Sequence, residues 1–181
     1  MCKKEILKNY LYHFVPQGMI GNILFPLNKL KDVYPSLYRE EVKKYQGREV
    51  LLQRKIPQLD CLWNDVIFLL AVHPSSVNET IGRYGLRTPK EWGWTSCFQI
   101  DLEMLDSSLL CTFIHLSDGT QTFSNFDKDR MTEYSIIPEA QHQYYREKAA
   151  TNSKNFLFAS RIWHVLYKGT IDVTNVPIIT L

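Results

Sequence analysis

Five histidines are the side chains of this sequence most able to do chemistry near neutral pH. His13 stands inside LYHFV, a short aromatic and β-branched run that reads as a strand. There it is either a core histidine holding a backbone hydrogen bond or a group presented to a ligand. His73 closes the apolar run VIFLLAV and precedes Pro74, which places it at the rim where a buried strand turns into a loop. It either faces a cleft there or hydrogen-bonds backbone. His115 and His164 fall in strand-like runs and are expected to be core or half-buried, whereas His142 sits in a polar helical stretch. Asn64 and Asp65, at the other end of the strand that leads to His73, are expected to brace the structure, because buried polar groups need partners. Walker, GxGxxG, HExxH and GxSxG motifs are absent, which removes the commonest nucleotide, metalloprotease and serine-hydrolase sites. Four cysteines are scattered without CxxC spacing and read as free thiols in a reducing compartment; no zinc site is expected.

The elements that must position these groups follow from the pattern of the chain. A length of 181 residues, 45% hydrophobic and 22% charged, fits one globular domain with a sizeable core. No apolar run reaches the length of a membrane span, and the N-terminal stretch lacks the apolar core of a signal peptide, so a cytoplasmic protein without a membrane partner is expected. Residues 11–15, 66–72, 97–101 and 109–116 read as strands, the second without polar alternation and therefore central in a sheet. FLFAS, WHVLY and GTIDV read as further strands, with Gly169 at a turn or bulge. Short helices are expected over residues 19–24, from a Ser36 cap to about residue 46 with Gly47 as the stop, over 76–84, and from Pro138 to about residue 150. Strands and short helices without regular βαβ alternation give an α+β class, a single domain over 1–181 with a central mixed or antiparallel sheet.

Charge is informative only locally, since the net value is +2. The segment from Lys29 to Lys55 is rich in Lys and Arg and interleaved with Tyr34, Tyr38 and Tyr45. Lys43, Lys44, Arg48, Arg54 and Lys55 are its candidate nucleic-acid contacts, because cations neutralise phosphates and rings stack on bases. The competing reading is a solvated amphipathic helix with its tyrosines turned to the core.

Several stretches together resemble the DarT-type DNA ADP-ribosyltransferases. LYHFVPQGMIGNIL has the shape of that family's opening strand with its histidine, VIFLLAVHPSS of its middle block, and FQIDLEMLDSS of a strand followed by a helix start. FLFASRIWHVLYKGTIDV runs in the order of its closing strands. The resemblance implies an ADP-ribosyltransferase-like fold, NAD as cofactor, and nucleic acid as the group modified, in a protein of toxin or antiphage type. It implies cofactor contacts from Tyr12, His13, Asn155 and Arg161, with His13, His73 and Glu139 as the catalytic set. The chain departs from that family in two places: His73 stands where an arginine is expected, and Asn155 stands near the place of the catalytic glutamate. That leaves Glu139 and Glu147, both on the expected helix from Pro138, as the nearest upstream acids, with Glu139 taken into the catalytic set. The rival function is a non-catalytic module binding nucleic acid or an acidic protein through residues 29–55. LYHFVP, CLWND and YKGTIDV also resemble stretches of certain bacterial proteins, a likeness that brings no function with it.

Overall fold

A computed structural model of the chain describes residues 9–153 and 156–181. The first part contains β1 (Tyr10–Phe14), β2 (Ile23–Leu24), α1 (Leu27–Val33) and α2 (Pro35–Glu41). Next come β3 (Lys55–Ile56), β4 (Cys61–Leu62), β5 (Ile67–Leu70), α3 (Pro74–Arg83) and β6 (Ser96–Asp101). The remainder is β7 (Leu110–His115), β8 (Gln121–Asn125), α4 (Met131–Tyr134), α5 (Glu139–Ala150), β9 (His164–Tyr167), β10 (Ile171–Asp172) and β11 (Ile178–Thr180).

Seven strands form one sheet in the order β11-β6-β1-β5-β9-β7-β8. Every neighbouring pair in it is antiparallel. The apolar run 66–72 does supply the middle strand, β5, between β1 and β9. Both faces of the sheet are covered, which is why that run shows no polar alternation. Leu11, Ile67, Leu69, Phe98, Ile100, Val165 and Tyr167 point to one face and pack with Met131, Tyr134 and Val176. On the other face, Leu70 packs with Val77 and Ile81 of α3 and Tyr145 of α5, while Phe113 and Leu166 pack with Ile56 and Leu59. The chain is thus one α+β domain built on an antiparallel sheet. Among the described residues no helix is long and apolar enough to cross a membrane.

Three expected elements form differently. Residues 19–24 are not a helix: Gly18 and Gly21 both take positive φ, at 76° and 70°, and the chain bends through them before pairing as β2. The second helix begins at Pro35 rather than from a Ser36 cap, and its last turn tightens into a 3-10 helix over Val42–Tyr45 before Gly47 stops it at φ 76°. FLFAS makes no strand, because α5 meets its backbone groups instead. Tyr144 Oη accepts from the Leu157 N–H at 3.0 Å, and the Tyr145 hydroxyl donates to the Phe158 carbonyl. Gly169 leaves room for an aromatic ring, since a Cβ there would lie 2.7 Å from Cε1 of Tyr167.

Candidate functional site

β1 and β5 part company at His13. Their register holds at Tyr12 opposite Leu70, and beyond it the Phe68 carbonyl is taken by the His13 ring, with Nδ1 at 2.9 Å. A carbonyl only accepts, so Nδ1 carries the hydrogen and the neutral ring keeps its lone pair on Nε2. Burial holds the His13 pKa below the ordinary histidine value, with the nearby Lys44 cation adding to the effect against the Phe68 bond. The ring is therefore neutral at pH 7. No hydrogen bond to Nε2 is made by the described residues.

The gap between the two strands opens into a cavity of about 250 Å³. Its floor is His13, Ile67 and Phe68; its roof is the bent loop with Gln17, Met19 and Ile20. Leu27, Leu30 and Tyr34 of α1 and its cap, then Leu37 and Glu41 of α2, close one side, with Lys44 and Tyr45 beyond them. Asn64 and Val66 form the wall below β5. Most of this lining is apolar, with a few polar groups set into it, which is the usual make-up of a small-molecule site. Glu41 and Lys44 form an ion pair at 3.0 Å and so offset each other's charge at the rim. Burial raises the Tyr45 phenol above its ordinary pKa, so it too is neutral.

Asn64 and Asp65 divide the role expected of them. Asp65 braces: one carboxylate oxygen accepts from the Leu62 N–H at 2.8 Å and the other from the Asn28 amide at 2.7 Å. Asn64 does not. It is 2% exposed, and neither its amide nitrogen nor its amide oxygen has a hydrogen-bond partner.

The other candidate residues lie elsewhere. Tyr12, next to His13 in the strand, points to the opposite face, where its ring meets His73 edge-on with centroids 5.1 Å apart. His73 is exposed and caps α3, its Nδ1 accepting from the Ser75 N–H at 3.2 Å. Glu139 is exposed at the start of α5 and paired with Arg146. Arg161 donates to the Leu116 carbonyl and lies 5.9 Å from the centre of the Tyr144 ring. Asn155 lies outside the described residues. Of the expected catalytic and cofactor set, the cavity thus holds His13, and the acid that shares its lining is Glu41 rather than Glu139. Helical spacing does put Glu41 on one side of its helix with Leu37 and Lys44, and all three line the cavity, but spacing alone does not tell that this side meets His13.

The basic segment is largely engaged with the protein itself. Lys43 pairs with Glu40 at 2.6 Å, Lys44 with Glu41, and Arg48 donates to the Lys44 carbonyl at 2.6 Å. Arg54 lies over the rings of Trp63, Phe123 and Phe113, at 4.7, 5.1 and 5.5 Å from their centres. Lys55 is exposed on β3. The cations are interspersed with acids and rings and do not form an unbroken stripe. The buried thiols of Cys97 and Cys111 are pushed up to about 12, which makes them unreactive at neutral pH. Among the described residues no three His, Cys, Asp or Glu side chains gather as a metal ion would require.

His164 sits on the other face of the sheet, between Phe68 and Phe113, with Nδ1 donating to the Ile162 carbonyl at 3.1 Å. Burial lowers its pKa from near 6.5 to about 4. The unfolded chain therefore binds more protons between those values. The stabilisation from the neutral ring is complete above pH 6.5 and is lost as pH falls through about 4. Melting curves from pH 7 to 4.5 are expected to fall by several degrees. His164→Phe should flatten that fall by up to about one proton of pH dependence.

No family model matches the chain, and neither the curated proteins nor the solved structures compared with it give a match.

Proposed function

We propose that the cavity over His13 binds one end of an NAD-type ligand, and that the protein is an ADP-ribosyltransferase-like enzyme using it. The observation that supports this is the neutral imidazole of the first strand, fixed by Phe68 at Nδ1 and with its Nε2 lone pair left for a ligand hydroxyl. The resemblance of LYHFVPQGMIGNIL to the opening strand of the DarT-type enzymes gives that histidine a ribose-binding role. At about 250 Å³ the cavity is somewhat smaller than the roughly 300–1,000 Å³ of drug-sized pockets, which suits a ring and its sugar and leaves the rest of a dinucleotide outside.

The chemistry such a site would support is cleavage of the bond between nicotinamide and ribose. Positive charge builds on the ribose as the base departs, and a carboxylate close to it stabilises the transition state. Glu41 is the acid in the lining and would take the role expected of Glu139, exchanging its contact with Lys44 at the rim for the cationic ribose. The acceptor of the ADP-ribosyl group would be nucleic acid, as the same resemblance implies.

Thermal melting with NAD, nicotinamide and ADP-ribose tests the reading, together with nicotinamide release in the presence of single-stranded DNA, RNA and protein acceptors. A ligand at about a hundred times its Kd stabilises by about 2.7 kcal/mol, or roughly 5–10 °C for a chain of this size. If none of the three compounds moves the melting temperature and no acceptor leads to NAD consumption, the proposal fails.

A further inference from the structure

Asn64 occupies the short turn Trp63–Asp65 that feeds β5, and the turn is held without it. Asp65 closes the turn onto Leu62 and ties it to Asn28, whereas both polar atoms of the Asn64 amide are buried and unpartnered. Leaving a buried donor or acceptor unmatched costs about 1–3 kcal/mol, so the fold would gain from a leucine of similar size at this place. Tyr134 Oη and Gln141 Nε2 are also buried without a partner, but of the three side chains Asn64 is the one set in the wall of the cavity that holds His13, where a ligand can meet it.

We propose that Asn64 reads the amide edge of a ligand, a carbonyl beside an N–H, as found in a primary carboxamide or a ring lactam. Asparagine presents one acceptor and one donor side by side, so it matches that edge with two parallel hydrogen bonds. Because neither atom is committed elsewhere, the match works for either orientation of the amide. Neither atom presents surface to the cavity in the unliganded structure, so the side chain meets a ligand by turning about its own torsions from the cavity wall. The surrounding Leu27, Leu30, Leu37 and Val66 offer contact to a flat ring and no competing hydrogen bond. In such surroundings a matched pair is strengthened and a mismatched one is penalised. A carboxylate in place of the carboxamide brings charge and a second acceptor against the Asn64 oxygen, and is rejected.

This inference rests on the ligand site proposed above and adds which chemical edge faces inward. Calorimetric titration of the full chain with nicotinamide and nicotinate, and with uridine and 3-methyluridine, tests it without any substitution. Binding of one amide probe about tenfold or more tighter than its blocked or acidic counterpart is the expected result, and which pair discriminates tells carboxamide from lactam. Asn64→Leu should weaken the bound probe by a similar factor while melting at or above the wild-type temperature. Equal binding within both pairs overturns the inference, as does a leucine variant that binds normally or melts several degrees lower. NAD binding that survives in Asn64→Leu but not in His13→Ala would leave the site standing and remove the role of Asn64. No response of the wild-type chain to any probe or to NAD would remove both.

Discussion

Leu69→Ala is expected to lower the stability of the domain by about 2–5 kcal/mol, which for a chain of this length is a drop of roughly 4–20 °C in melting temperature. Leu69 is 0% exposed at the centre of β5, opposite Val165 of β9 and in the same apolar cluster as Leu11, Ala71 and Phe98. Pairing with β9 and packed layers on both faces leave the neighbours little room to collapse into the space vacated. The cost therefore includes the cavity as well as the lost transfer energy. Urea denaturation should show a lower midpoint with an unchanged slope, since the surface exposed on unfolding hardly alters. Val50→Ala, at a side chain that is 78% exposed, is the control and should stay within about 0.5 kcal/mol of wild type. A Leu69→Ala chain as stable as that control would contradict a single core gathered around β5.

Leu69 also marks what could be read from the residues alone. The apolar run VIFLLAV is short enough for a strand or a buried helix, and its β-branched and aromatic content favours a strand in the middle of a covered sheet. Pro138 marks the start of α5, whereas α3 begins at Pro74, two residues ahead of the expected 76–84. The edges of the sheet were not legible. QTFSN of β8 is mostly polar, and β11 is three residues behind Pro177, so neither has the composition of a strand that must bury both faces. The segment 19–24 looked helical by apolar content, yet two glycines in the left-handed region decide its path. The site divides in the same way. Strand alternation already forbids Tyr12 and His13 from sharing a cleft, so their separation followed from the period of two. The cavity itself did not follow, because its walls come from β1, α1, α2 and the turn before β5, whose meeting is a tertiary fact. Nor could spacing tell that Asp65 would find its partners while Asn64 would find none.

The two nitrogens of His13 make separable predictions. His13→Ala removes the donor to Phe68 and leaves that carbonyl unmatched, at a cost of about 1–3 kcal/mol, and it also removes Nε2 from the cavity. His13→Asn places an amide N–H close to where Nδ1 stands and is expected to retain most of the stability, yet it offers nothing at the position of Nε2. Its melting temperature should stay near wild type while ligand binding falls by about tenfold or more. Protonation gives the same loss by another route. An imidazolium has no lone pair on Nε2, so a ligand that donates to it is released as pH falls through the His13 pKa, which burial holds below 6.5. Wild-type affinity for a responding ligand should thus be level at neutral pH and decline in that lower range, and the His13→Asn chain should lack the decline. An asparagine variant that binds as well as wild type would show that the imidazole serves the sheet alone. One that loses both stability and binding would mean that the Phe68 bond needs the ring itself to stay in place, and that the opening between β1 and β5 depends on it.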